Sequence, residues 1–202
     1  MAWEGKVRLG FFERKHMQFT VTIVGKTALL LHRFPEDAQE EASSQVHARK
    51  ERLTPRQECI SYLYLATPDD LSSQYFPSEN LRQCIVNAGK RFKIGRASAR
   101  TDLAAATFIT PEQLPLKGEW VIDSRPVVNP FTQGRVLRHR PKFEQWEISC
   151  TIEVDEELIQ EQLIRNVMTS AGNFVGIGDY RPARMGPYGR FEVTKWESVN
   201  GG

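Results

Sequence analysis

Apolar and polar positions begin to alternate at Gln18. Phe19, Val21 and Ile23 fall on one side and Thr20 and Thr22 on the other, which predicts a half-buried strand over Gln18–Val24. Gly25-Lys26 interrupts it, and Ala28–Leu31 resumes an apolar run that closes in His32-Arg33-Phe34-Pro35. From Glu36 to Arg52 charge dominates and large apolar residues almost vanish, so a solvated helix or a mobile loop is expected. Thr54-Pro55 is a helix start, with Thr54 as N-cap and Pro55 in the first helical position, running to about Tyr62. Tyr62–Thr67 and Gln74–Phe76 flank Pro68-Asp69-Asp70, a hairpin signal.

Ser78 is the expected cap of the clearest helix. Leu81, Cys84, Ile85, Ala88, Gly89 and Phe92 form one stripe at helical spacing, with Arg82, Lys90, Arg91 and Lys93 off it. Ile94–Leu103 reads as loop. Strands are expected at Ala106–Thr110, Trp120–Asp123, Arg135–Arg138 and Trp146–Val154, with Asn129 to Gly134 as the turn of a long hairpin. Asp155 is the expected cap of a second helix, Glu156–Ala171, whose Leu158, Ile159, Leu163 and Val167 face inward and whose first turn carries acids. Gly172 closes that helix. A loop with Gly176, Gly178, Gly186 and Gly189 then leads into a last strand, Tyr188–Lys195. The order of elements predicts an α+β domain: an antiparallel sheet of four or five strands, helices packed on one face, with hairpin and helical insertions.

The length of 202 residues, 40% hydrophobic and 26% charged, suits one globular domain with a core that needs no staples. Met1–His16 departs from that pattern, and Met17 opens the first strand. Two expectations stand for residues 1–16: over-called sequence upstream of a start at Met17, or a short disordered arm. Residues 17–202 are then the domain. Cys59, Cys84 and Cys150 are far apart among apolar residues, which fits buried thiols in a reducing cytoplasm. No secretory signal is visible and no apolar run approaches the roughly 20 residues of a membrane span, so no membrane contact is expected.

The net charge of +2 hides an uneven distribution. Between Leu81 and Gln145, twelve Lys and Arg stand against five acids, whereas Trp146 to Arg165 is acidic. Phe131, His139, Phe143 and Trp146 lie among Arg135, Arg138, Arg140 and Lys142. Cations that meet phosphates, interleaved with rings that stack on bases, suit single-stranded nucleic acid.

Motifs for most chemistry are missing. The histidines His16, His32, His47 and His139 show no metal-ligand spacing, and HExxH, CxxC, a nucleophile elbow and a phosphate-binding GxxxxGK[ST] do not occur. Gly176-Ile177-Gly178 follows a helix and not a strand, so it fails the context of a dinucleotide fingerprint. The expectation is therefore no cofactor and no metal. His32 or His139 are the candidates for acid–base cleavage of RNA; a lone histidine at a strand end is more commonly structural.

The two ends of the domain, FTVTIVGKTALLLHRF and GIGDYRPARMGPYGRFEV, resemble the RAMP superfamily of CRISPR-associated RNA-binding proteins and prophage-borne proteins like them. The middle aligns by element order only. Gly-Pro-Tyr-Gly stands where the family has a tighter glycine run, and the chain is shorter than most of the family's backbone subunits. The resemblance implies a ferredoxin-like, RNA-recognition-like fold whose C-terminal glycine-rich loop lies against RNA. By that resemblance Gly176, Gly178, Gly186 and Gly189 admit a phosphate close to the backbone, and Arg181, Arg184 and Arg190 neutralise it. Arg135, Arg138, Arg140 and Lys142 would reach over from the hairpin, with Phe143 or His139 to stack. Some family members polymerise along RNA and others are metal-independent endoribonucleases. The reading is a non-catalytic binder of single-stranded RNA or DNA, RNA foremost, that self-associates or assembles with partner subunits. The alternatives are an endoribonuclease and a phage structural or anti-defence protein with no nucleic-acid role.

Overall fold

A computed structural model describes residues 15–33, 53–128 and 134–199. The charged stretch Glu36–Arg52, residues 1–14 and the hairpin turn with Phe131 lie outside the described residues.

The first strand, β1 (His16–Gly25), sits between two long partners, β10 (Glu147–Asp155) and β11 (Phe191–Ser198), both antiparallel to it. The alternation read from the sequence sets the register. Phe19, Val21 and Ile23 lie opposite Ile152, Cys150 and Ile148, and all six point to one covered face. Full burial of a side chain of this kind stabilises by about 1.5–3 kcal/mol. The other face carries Thr20 and Thr22 opposite Thr151 and Ser149, and the Thr22 and Ser149 hydroxyls share a hydrogen bond of 3.0 Å. Thr194 is the extra residue where the β1–β11 register slips, a bulge on the edge strand.

The sheet is larger than expected. Its order is β11-β1-β10-β7-β3, with β7 (Gln113–Lys117) and β3 (Tyr75–Pro77) beyond β10, and with β6 (Thr107–Thr110) also pairing β10: six strands. With the helices placed in sequence between β1, β6–β7, β10 and β11, this is the α+β, ferredoxin-like arrangement. β7 was not foreseen because Pro115 argues against a strand. It sits opposite Tyr75 in the short pairing with β3. The hairpin expected around Pro68 reduces to one bridge, Leu65 to Gln74, before β3.

Four helices are described: α1 (Pro55–Ser61), α2 (Ser78–Ala88), α3 (Arg100–Ala106) and α4 (Glu161–Ser170). At α1 the expected start holds, with Thr54 and Gln57 forming a reciprocal capping box. Ser78 is not a cap. It is the first helical residue after Pro77, and its N–H donates to Glu112 O at 2.9 Å. α2 also ends early, in a 3-10 turn at Gly89–Arg91, which leaves Phe92 half-buried outside the helix. Ile94–Leu103, expected as loop, falls within a small hairpin, β4 (Lys93–Ile94) with β5 (Ala97–Ser98), and α3. Asp155 caps a turn instead of a helix, accepting from Glu157 N at 3.0 Å, and α4 starts only after Gln160. Leu158 is consequently exposed, while Ile159 and Val167 are fully buried as expected. α2 and α4 cover the apolar face together, Cys84 Sγ lying 3.7 Å from Ala171 O.

A second sheet, β2-β9-β8, stands beside the first. It joins β2 (Leu29–Leu30) to a long hairpin of β8 (Trp120–Val128) and β9 (Arg135–Phe143). α1 packs against this hairpin. Among the described residues no helix is long and apolar enough to cross a membrane.

Candidate nucleic-acid interface

α4 does not stop at Gly172. It passes into a π turn, Ala171–Val175, which ends at Gly176 with φ of 70°. The loop that follows is stitched to the connection between β1 and β2. Asp179 N donates to Leu30 O at 2.7 Å, Gly189 N to Ala28 O at 2.8 Å and Arg190 N to Thr27 Oγ1 at 3.0 Å. Ile177 N donates to Gly189 O at 2.9 Å across the loop. Two glycines are required by this geometry. Gly178 and Gly189 have φ of 75° and 69°, and a Cβ on them would meet Leu30 O and Ile177 O. At Gly176 and Gly186 the same atom would meet Pro182 and Tyr180 of this chain. The close approach that these glycines permit is therefore first an approach of the chain to itself.

The loop tip is open to solvent. Met185 is 96% exposed, and Arg184 beside it is exposed with no ion-pair partner among the described residues. Arg181 reaches back to Gly178 O at 2.8 Å. Arg190 is half-buried, with its Nε lacking an acceptor.

The hairpin reaches this loop. Arg140 Nη1 lies 3.0 Å from Asp179 Oδ2, and Arg125 lies over the Tyr188 ring at 4.9 Å and hydrogen-bonds its hydroxyl. His32, at the end of β2, places Nδ1 3.7 Å from the same Asp179 oxygen and its ring edge-on to Tyr62 at 4.5 Å. Arg138 and the Tyr62 hydroxyl both meet Glu58 Oε1, at 3.4 Å. Burial, and then Arg140, push the His32 pKa below its ordinary value against the opposing pull of Asp179, which leaves the ring neutral at pH 7. Lys142 pairs with Glu144 at 2.6 Å, and Arg135 is exposed. His139 shares a 2.7 Å hydrogen bond with Ser124 across the hairpin. Of the cations expected from the sequence, then, Arg138, Arg140 and Lys142 are paired with acids, and Arg184 and Arg135 have no ion-pair partner among the described residues.

The rings are arranged differently from the expectation. Phe143 is fully buried at the base of β9, opposite Leu29 and Trp120, and offers no face to a base. Trp146 is buried too, its Nε1 donating to Thr27 O at 2.9 Å. Two exposed rings lie at the loop: Tyr180 within it, and Phe174 on the π turn, with the Arg91 guanidinium 4.5 Å from the Phe174 ring centre. The signal for Phe174 was present in the sequence, as an aromatic next to the glycine run, in the loop that follows the closing Gly172.

Between α2 and the glycine loop lies a cleft of about 250 Å³. Phe76, Leu31 and the buried Cys84 form its floor. Asn80, Gln83 and Asn87 of α2 line one wall and Gly176, Gly178, Asp179 and Arg181 the other, with Tyr64 and His32 at its end. Burial pushes the Cys84 thiol up to about 12, so it is an inert floor and not a nucleophile. Among the described residues no group of His, Cys, Asp and Glu is placed to hold a metal.

No family model matches the chain, and no curated protein matches it. Among solved structures it is similar to a chain of the cryo-EM structure of the Type III-B Cmr-beta bound to cognate target RNA. The TM-score is 0.51 at 11% identity, over 92% of this chain and 61% of that one. The likeness is one of fold, and this chain spans less than two thirds of the neighbour's length.

Proposed function

We propose that the chain binds single-stranded RNA without cleaving it, as a RAMP-type subunit of a CRISPR-like or phage ribonucleoprotein assembly. One observation carries this reading. The glycine loop, the basic hairpin and the end of β2, which lie far apart in the sequence, meet around Asp179, with Arg184 exposed at the rim and Phe174 exposed beside it. A loop that presents cations and exposed rings suits a strand held by phosphate contact and stacking. The fold shared with a chain of an RNA-bound assembly supports the choice of RNA and of partner subunits. The test is binding of a labelled strand of about 30 nucleotides, on the order of two large single-strand sites, at rising salt. Binding that weakens linearly in log–log form is expected. No binding at low salt would leave the structural-protein alternative in its place.

A second reading rests on His32. A neutral imidazole oriented by a carboxylate, with an arginine at hand, is the apparatus of a general base. It predicts metal-independent cleavage that His32→Ala abolishes. An intact labelled strand after prolonged incubation with the wild type removes this reading.

A further inference from the structure

The cleft between α2 and the glycine loop has a lining that simple phosphate binding does not use. Asn80, Gln83 and Asn87 stand at i, i+3 and i+7 of α2, so three carboxamides share one helix face. A solvated face would serve with any polar side chain. What distinguishes this one is that it faces a cleft with an apolar floor and aromatic Tyr64 and His32 at its end. Gln83 Nε2 donates to Glu79 at 2.7 Å, which leaves Gln83 Oε1 as an acceptor. The Asn87 side chain has no partner among the described residues, so both its donor and its acceptor are free.

We propose that this cleft receives one unstacked base of the bound strand and prefers adenine. The proposal rests on the RNA-binding reading above. A carboxamide offers a donor and an acceptor in one plane, which matches the N6 and N7 edge of adenine. Unstacked bases of single strands are read in this manner, with a ring or flat side chain against the base. The volume of about 250 Å³ lies below the roughly 300–1,000 Å³ of sites for larger ligands, so the cleft holds one ring system and little more. Charge around it suits a polyanion. Arg91, in the 3-10 turn after α2, lies against Phe174, Arg181 lines the opposite wall, and the one carboxylate of the lining, Asp179, is held by Arg140.

The experiment compares three labelled strands of about 30 nucleotides: cytidine alone, cytidine alternating with adenosine, and cytidine alternating with uridine. None of these pairs with itself. The wild type is expected to bind the adenosine strand roughly tenfold more tightly than the other two, within the range of one good bidentate base contact. Asn87→Ala and Gln83→Ala should bring the adenosine strand down to the level of the others and leave those unchanged. Alanine is favoured in a helix, and thermal melting confirms that the variants fold. Equal affinity of the wild type for all three strands, a different order of preference, or an equal loss on all three in Asn87→Ala overturns the base cleft while RNA binding stands. Failure of every strand to bind overturns both.

Discussion

Arg140 Nη1 lies 3.0 Å from Asp179 Oδ2, and His32 lies 3.7 Å from the same oxygen. The contact ties the basic hairpin to the glycine loop and places an ion pair beside one imidazole.

The sign of each effect on His32 follows from that contact. Burial is the largest cause of its lowered pKa and Arg140 the next, while Asp179 acts the other way. Arg140→Gln should therefore raise the His32 pKa toward, but not to, 6.5, and Asp179→Asn should lower it further. An NMR titration of the imidazole reads both. Because the folded value lies below the unfolded one, the unfolded state takes up the proton first. Stability is complete above about pH 6.5 and falls as the pH drops toward the folded pKa. His32→Gln should flatten that part of the stability profile, and an unchanged profile would contradict the buried, neutral ring.

Gly178 and Gly95 separate backbone strain from crowding. Both have positive φ, 75° and 59°, but a Cβ on Gly178 would sit 2.6 Å from Leu30 O, whereas Gly95 has open space. Gly95→Ala should cost about 1 kcal/mol. Gly178→Ala should cost about 2–4 kcal/mol, since the backbone carbonyl it meets cannot step aside cheaply. Denaturant melts of the two variants give the comparison. Equal losses would show that the loop is not held against β2 as described.

Phe143 and Phe174 should exchange the roles that their sequence context suggests. Phe143→Ala removes a fully buried ring and should cost about 3–5 kcal/mol of stability. Phe174→Ala removes an exposed ring, should change stability by less than about 0.5 kcal/mol, and should weaken binding of single-stranded RNA by about 1–3 kcal/mol with the salt dependence unchanged. Full RNA affinity in a folded Phe174→Ala protein would take stacking away from this surface.

Arg184 is exposed in the loop with no ion-pair partner among the described residues. Arg184→Ala should reduce the slope of log affinity against log salt by about 0.7, the share of one phosphate on a single strand, and should weaken all sequences alike. Arg138→Ala, at a residue already paired with Glu58, should change the slope less. The reverse ranking, measured in the same salt titration, would move the phosphate track from the loop to the hairpin.

The parts of the fold that follow from local rules were legible in the chain itself. Phe19, Val21 and Ile23 alternate because successive side chains of a strand point to opposite faces, and that alternation already assigns the buried face of β1. Thr54, Pro55 and Gln57 start a helix by satisfying its free N–H groups, which needs no distant partner. The charge of the hairpin and the glycine content of the loop were likewise visible, and so was their place on an α+β scaffold. Tertiary structure decided what depends on which surfaces meet. Phe143 alternates with cations like an exposed ring, yet it is buried because β9 is paired there with both β2 and β8, whereas toward Arg135 it pairs with β8 alone. Pro115 reads as a strand breaker, yet β7 forms because Pro115 is paired on one side only, Gln113–Pro115 lying opposite β3 and Leu116–Lys117 opposite β10. The carboxamides of α2 acquire a cleft only when the loop 176–181 and His32 are folded against them. A one-dimensional pattern states which side of its own element a residue occupies; it does not state whether another part of the chain arrives to cover that side.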